Sequence, residues 1–568
     1  MNFGEFDFII VGAGSAGCVL ANRLSADPRH RVALLEAGPH DRRFWIQLPI
    51  GYGRTMWDPL VNWKFYTEPD PNMHGRRIYW PRGRVLGGSS SINGLIAIRG
   101  QHEDYDHWAR LGNTGWSWND VLPYFVKSES NPDHAESQLH GSGGPTAVSS
   151  IKRRHELIEA FIGSAEARGI PRTDDFNGES QEGAGYYQLT MKNGWRVSAA
   201  KAYLRPARKR RNLRVITQAL ATRILFEQGR AAGIECRVGA EDCMIRARRG
   251  VILCAGSIQS PHLLMVSGIG PAAALRQHGI PIVVDRAGVG ENLQDHLQFR
   301  LIYRCAMPIT TNDQLRSVIG YARIGLEWLL FGEGPLAVGI NQCGLFARVM
   351  PGSRTPDIQF HVATLSADMA GGKVHDFSGF TLSVCQLRPE SRGRIELASA
   401  DPLVRPRIHA NYLATETDRA CAVRAISFAR ELARTKPLSD YVAAEVTPGP
   451  AVESETDLLA FARQNGATIF HPAGTCRMGA DDAAVVDPQL RVRGVGGLWV
   501  ADCSIMPTLV SGNTNLPAIM IGEKASDLIL QDRGSIDGLL TKHRQRAGAT
   551  LDFFRIVRAQ SGPAYRRR

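Results

Sequence analysis

Three stretches of the 568-residue chain carry residue types whose spacing could do chemistry. The first is GAGSAG, with Gly12, Gly14 and Gly17 in G-x-G-x-x-G register. It follows the apolar run FDFIIV and opens a segment where Ala16, Val19, Leu20 and Leu24 recur at helical spacing. RVALLEAGP then reads as a second buried strand, ending at Glu36. Together they make one βαβ unit of about 30 residues. In such a unit Gly12 permits the tight turn, Gly14 lets the backbone approach a pyrophosphate, and Gly17 lets the helix pack on the strand. Glu36 is placed to accept from a ribose hydroxyl. An acid there argues against a 2′-phosphate, so FAD or NAD fits better than NADP.

The second stretch is PRGRVLGGSSSINGLIAIRG, Pro81 to Gly100. Small residues after a Gly pair can press backbone against a flat ring or phosphates. The embedded Val85, Leu86, Ile92, Leu95 and Ile96 argue against a flexible linker. The third is TIFHPAGTCRMG, Thr468 to Gly479. Alone, His471 reads as an ordinary loop residue before a proline. As chemistry, a neutral imidazole of ordinary pKa about 6.5 suits taking a proton near neutrality.

The elements that must position these residues follow from patterning. GVILCAGSIQSPHLLMVSGIG is another buried strand, Gly turn and helix, and GLWVADCSIMP with NLPAIMIGEKASDLILQD gives a last strand and helix. HELIEAFIGSAEARG is an amphipathic helix, and NLRVITQALATRILFE alternates like strands. The stretch from Pro39 to Gly144 reads as loop-rich. Between about residues 301 and 464 strands such as DIQFHVAT and RGRIELAS mix with the helix TDRACAVRAISFARELART. The simplest architecture is one doubly wound domain assembled from discontinuous segments, with a second domain inserted.

Composition bounds the rest. With 43% hydrophobic and 21% charged residues the profile is globular. Lys and Arg exceed Asp and Glu by 12, much of it in RPARKRRNLR, RARR and the tail. Without an aromatic-interleaved basic ladder or zinc-finger spacing, this reads as a solvated basic face rather than a nucleic-acid surface. Ten cysteines without a C-x-x-C make no disulfide framework, point to a reducing compartment, and give no metal site. The N-terminus enters a strand pattern at once and leaves no room for a signal peptide. No apolar run reaches about 18 residues, so no spanning helix is expected. The expected location is the cytoplasm, with peripheral contact at the inner membrane left open.

In these motifs the chain resembles the glucose–methanol–choline (GMC) family of flavin oxidoreductases. GRVLGGSSSINGLIAIRG resembles its first signature and GSIQSPHLLMVSGIG its second. HPAGTCRMG and DCSIMPTLVSGNTNLPAIMIGEKASDLI resemble its C-terminal active-site segments, all in family order. VGAGSAGCVLANRLSADP and NWKFYTEPD are most similar to the choline-dehydrogenase-like and alcohol dehydrogenase branch. The resemblance implies an α/β plus α+β fold. A discontinuous Rossmann-like FAD-binding domain (1–144, 191–300 and 465–535) would hold an inserted antiparallel-sheet substrate domain (145–190 and 301–464), followed by a basic tail (536–568).

It also implies a cofactor set: Gly12, Gly14, Ser15, Ala16, Glu36 and Ala37; Arg84, Val85, Gly87, Gly88, Ser89, Asn93, Gly94 and Ile96; Ala221 and Ala255; Asp502, Cys503, Asn515 and Pro517. Some members attach FAD through a His in the GGSSS-x-N stretch; here that position is Ile92, so noncovalent FAD is expected. His471 becomes the base facing flavin N5, with Asn513 as its alkoxide-stabilising partner and Asn515 as the alternative two residues on. The implied reaction is oxidation of a primary alcohol to an aldehyde, with electrons passed to a quinone or other acceptor. Choline is disfavoured because Asn341 and Gln342 stand in VGINQCGLF, where a glutamate is expected in choline-oxidising relatives; a neutral alcohol is the expected substrate. The alternatives are an oxidase using oxygen, a choline dehydrogenase, a lyase of the same fold, and a flavin-retaining binding protein.

Overall fold

The computed structural model describes residues 2–369 and 371–532. The expected basic tail, 536–568, lies outside the described residues.

Two seven-stranded sheets organise the chain. The first runs Leu213–Thr217, Val32–Glu36, Asn2–Val11, Glu241–Leu253, Arg230–Val238, Ala219–Glu227, with Leu498–Val500 also pairing to Glu241–Leu253. Five of these are parallel, in the order 213–217, 32–36, 2–11, 241–253, 498–500. Val32–Glu36, Leu498–Val500 and the ends of Asn2–Val11 and Glu241–Leu253 are the runs that read as continuously apolar, as strands covered on both faces must be, while the edge strand Leu213–Thr217 alternates. The remaining two close the sheet as an antiparallel hairpin extension.

The second sheet is antiparallel: Val442–Thr447, Leu297–Cys305, Gly379–Gln386, Ile358–Ala363, Asn341–Ala347, Gly183–Tyr186, with Ala467–Thr468 beside the start of Leu297–Cys305. The helix Glu416–Arg434 lies against it, burying Cys421, Ala425, Ile426, Ala429 and Leu432 at helical spacing.

Two helices stand where the loop-rich stretch was expected, His102–Arg110 and Trp118–Ser128. Their start signals are present: the Asp104 and Asp120 carboxylates accept from the backbone N–H of Gln101 (2.8 Å) and Ser117 (3.0 Å). The aromatic residues that disguised the helical period are the buried Tyr105, Trp108, Trp116 and Trp118.

The helix Ser15–Leu24 packs on the C-terminal helix Asn515–Gln531 at close range. A Cβ on Gly522 would stand 2.9 Å from Ala16 Cα and O. Beside it the buried Glu523 carboxylate accepts from Arg23 Nε (2.8 Å) and Nη2 (2.7 Å). Backbone cannot yield as a flexible side chain would, so Gly522→Ala should push the helices apart and destabilise the fold by about 1–3 kcal/mol. Denaturant unfolding of the two proteins checks this.

Candidate active site

One cavity of about 790 Å³ runs from the first glycine turn to His471. At the turn the three glycines divide the work. Gly12 has φ +98°, and a Cβ on it would strike Cys254 O at 2.5 Å. A Cβ on Gly17 would overlap Gly12 O. Gly14 differs: its φ is −76°, and a Cβ there would meet only Cys254 O, at 3.8 Å. Nothing in the protein's own packing requires glycine at 14. The open space above Gly14 is what a cofactor pressed against that backbone needs.

Glu36, buried at the end of its strand, accepts from the N–H groups of Ala13 (3.0 Å) and Gly38 (2.8 Å). Burial raises its pKa to about 7 against those two bonds. The two long helices bring their N-termini to the same wall, where Ser15 Oγ donates to Asn515 Oδ1 (2.8 Å). Both positive ends therefore face the cavity, as a pyrophosphate needs. Asp502 ties the last strand in, accepting from Gly256 N–H (2.8 Å), Ser260 Oγ (2.6 Å) and Ser504 N–H (2.8 Å). The lining residues fit FAD: Glu36 would hold the ribose, the Gly14 turn and Ser15 the phosphates, and Gly88, Ser89 and Asn93 the ring's surroundings.

The expected cofactor residues on the lining are Gly12, Gly14, Ser15, Ala16, Glu36 and Ala37, Gly88, Ser89, Asn93, Gly94 and Ile96, Ala221 and Ala255, and Asp502, Cys503 and Asn515. Arg84, Val85, Gly87 and Pro517 are not on it. Val85 is buried with Ile46, Val61 and Ile92. Arg84 lies over the Trp63 ring, and the Gly87 N–H donates to Ala13 O. Pro517 is buried in the first turn of its helix. Arg84, Gly87 and Pro517 each neighbour a lining residue in sequence, and Val85 sits two residues from Gly83, yet all four turn to the packed side.

At the far end His471 follows Phe470, whose φ of +73° is rare for a bulky residue. Three bonds hold that backbone. Phe470 N–H donates to Thr468 Oγ1 (2.7 Å), Phe470 O accepts from Arg82 Nη1 (2.8 Å), and His471 N–H donates to Asp295 Oδ1 (2.7 Å). Leu297 pairs with Thr468, which sets His296 beside His471, Nδ1 to Nδ1, at 3.0 Å.

The proton positions follow from the partners. The Leu387 carbonyl can only accept, so His296 Nε2 carries a proton toward it (2.9 Å). In the neutral ring His296 Nδ1 is then an acceptor, and His471 Nδ1–H donates to it. That leaves the His471 Nε2 lone pair facing Asn513 Nδ2, at 3.3 Å. The amide is oriented by Gln359, which donates to Asn513 Oδ1 (3.0 Å) and to Tyr187 Oη (2.9 Å). Burial, reinforced by His296, His361 and Arg82, holds the His471 pKa well below the ordinary value. Burial likewise holds His296 at about 4 and His361 at about 3. This end of the cavity therefore presents an uncharged imidazole lone pair beside an oriented amide N–H.

Sequence reasoning missed Arg82, Asp295, His296, Gln359, His361 and Arg300. A signal existed for three of them, Arg300, Gln359 and His361. In LQFRLIY and DIQFHVA, polar residues Gln298 and Arg300, and Gln359 and His361, alternate with apolar ones, yet both strands are interior. A buried strand with one polar face lines something wet.

The GMC oxidoreductase family models match residues 6–298 and 389–522. An oxygen-dependent choline dehydrogenase from Brucella ovis is 44% identical over 93% of this chain and 96% of its own length. An alcohol dehydrogenase [acceptor] from Pseudomonas putida is 42% identical, over 95% and 99% respectively. Among solved structures, pyridoxine 4-oxidase from Mesorbium loti superposes with a TM-score of 0.83 at 30% identity, covering 92% of this chain and 98% of that one.

Because Gly14 combines an ordinary φ with open space, Gly14→Val should fold and lose the cofactor. Cofactor content of the purified variant, read with its circular dichroism, checks this; full flavin occupancy would contradict it.

Proposed function

The chain belongs to the GMC oxidoreductase family, FAD-dependent enzymes acting on CH–OH groups, and on that premise we propose that it oxidises a primary alcohol to an aldehyde with His471 as base and Asn513 as its partner. The observation that carries this reading is the His471 Nε2–Asn513 Nδ2 pair at one end of the cavity whose other end is the Gly14 turn. FAD, when bound, supplies the hydride acceptor. His471 Nε2, unprotonated, takes the hydroxyl proton. Asn513 donates to the same oxygen as negative charge grows there, without titrating itself. His296 and the Leu387 carbonyl keep the other imidazole nitrogen protonated, so the lone pair stays on the cavity side. FAD would be held noncovalently, since Ile92 offers no nucleophile for attachment.

Choline, named for several relatives, is the second reading. The carboxylates among the lining residues are Glu36 and Asp502, and both already accept from backbone N–H groups. A quaternary ammonium would find no free acid there.

For the electron acceptor we favour a quinone reached at a membrane surface over oxygen. Among the described residues no helix is long and apolar enough to cross a membrane. The helix Val318–Phe331, however, exposes Val318, Ile319, Tyr321, Leu326, Leu329, Leu330 and Phe331, and Tyr321 also lines the cavity. Such a patch is more than scattered exposed leucines.

Two outcomes are expected. His471→Ala should slow anaerobic flavin reduction by an alcohol roughly 10²–10⁴-fold with flavin retained. The wild-type rate should stay level as pH falls through about 6.5, where an ordinary histidine would gain its proton and cease to act as a base. A near-normal rate in the variant would remove His471 from the chemistry. The protein should also float with anionic liposomes, and Leu329→Ser/Phe331→Ser should release it; identical flotation would exclude this helix as the contact.

A further inference from the structure

A structural arginine inside a protein has its donors satisfied. Arg196 illustrates the rule: it donates to Ile46 O (2.9 Å), Ser90 O (3.2 Å), Asn93 Oδ1 (2.7 Å) and Pro49 O (3.3 Å). Arg99 is paired with Glu129 at 2.7 Å. Arg300 differs. It is half-buried, it lines the cavity on the interior strand Leu297–Cys305, and among the described residues its side chain makes no hydrogen bond and no ion pair. The groups that bear on its charge are the Tyr52 hydroxyl and Asp368. The Asp368 side chain is 91% exposed and bonded to His375 instead.

Its address in the sheet is defined. Arg300 stands opposite Ser383, and Ser383 stands opposite His361 on the next strand. Two residues before His361 is Gln359, which holds Asn513. The row Arg300–Ser383–His361 thus continues the wall that carries the reactive pair, all three on the cavity lining. Two strand spacings separate Arg300 from His361, on the order of 10 Å between backbones. Around the mouth stand the further cations Arg54 and Lys373, both exposed. Against these lie the carboxylates Glu36, at the dinucleotide turn, and Asp502, each already accepting protein N–H groups.

Resting on the reading of this cavity as an alcohol-oxidising site, we propose that its substrate is a primary alcohol that also carries a carboxylate, with Arg300 as the residue that reads it. A planar guanidinium with free N–H donors matches a carboxylate in two parallel hydrogen bonds. The same positive field repels the choline cation, and it disfavours a fully neutral alcohol because Arg300 would stay unpaired. The separation along the row calls for a spacer of several bonds between carbinol carbon and acid.

The test uses the FAD-loaded enzyme, anaerobic, with flavin reduction followed for matched pairs: 6-hydroxyhexanoate against 1-hexanol, 4-(hydroxymethyl)benzoate against benzyl alcohol, and choline alone. The acid of each pair should show a second-order rate constant about 10–100-fold above its neutral match, the size of one charge-assisted contact. Arg300→Met should bring that ratio close to one, and Arg300→Lys should keep part of it. A readout independent of turnover is unreactive benzoate, which should raise the wild-type unfolding midpoint and leave that of Arg300→Met unchanged. Equal rates within each pair, a ratio insensitive to Arg300→Met, or faster reduction by choline would overturn the carboxylate assignment while alcohol oxidation stands. If no alcohol of any charge reduces the flavin, the alcohol-oxidising reading falls and this one with it.

Discussion

The geometry around His471 depends on a carbonyl oxygen's inability to donate. Leu387 O takes the Nε2 proton of His296, so His296 must accept at Nδ1, so His471 must donate from its own Nδ1. Through that relay His471 presents a lone pair rather than an N–H to the cavity. Burial is what makes the relay binding. Protonating His296 at Nδ1 would set that N–H against the Nδ1–H of His471, and burial holds the pKa of both rings below the ordinary value. A fixed amide, Gln359, orients Asn513 in turn. Two groups that could each point either way are thereby left with one arrangement.

The two sheets explain how distant segments meet there. The parallel sheet delivers its strand ends and helix N-termini to one edge, where such folds hold phosphates. The antiparallel sheet presents a polar face toward the same space, and the short pairing of Leu297 with Thr468 joins its edge to the loop bearing His471. Asp295 and Arg82 then hold the strained Phe470 backbone from opposite sides. Strain of this kind persists only where several bonds oppose its relaxation, which is why the loop can aim a side chain.

Much of this architecture was legible in the sequence because its signals are local. The βαβ unit needs only one contiguous segment, Phe6 to Glu36, to state strand, turn, helix and acid. Fully buried strands declare themselves as apolar runs. His471 and Asn513 could be named through the resemblance, and the structure sets their side chains 3.3 Å apart. Arg84, Val85, Gly87 and Pro517 show the limit of motif reading. A motif marks a stretch, but only three-dimensional turning decides which of its residues face the cavity. His296, Gln359 and Leu387 were invisible for a different reason. Their partners lie 175, 154 and 91 residues away, and nothing in a single sequence reports a contact across such separations.

The charges left in the cavity bear on the base as well as on recognition. His471 is neutral partly because Arg82 is near, and every further cation on the wall pushes the same way. An imidazole held so low accepts a proton reluctantly. One negative charge about 10 Å away, at an effective dielectric near 20, would offset that by about 1.7 kcal/mol. This is roughly a tenfold change in proton affinity, comparable with the direct gain from a charged hydrogen bond. An anionic substrate seated on Arg300 would therefore act twice, filling an unpaired guanidinium and easing the protonation of His471. A neutral alcohol could do neither, however well it fitted the remaining walls.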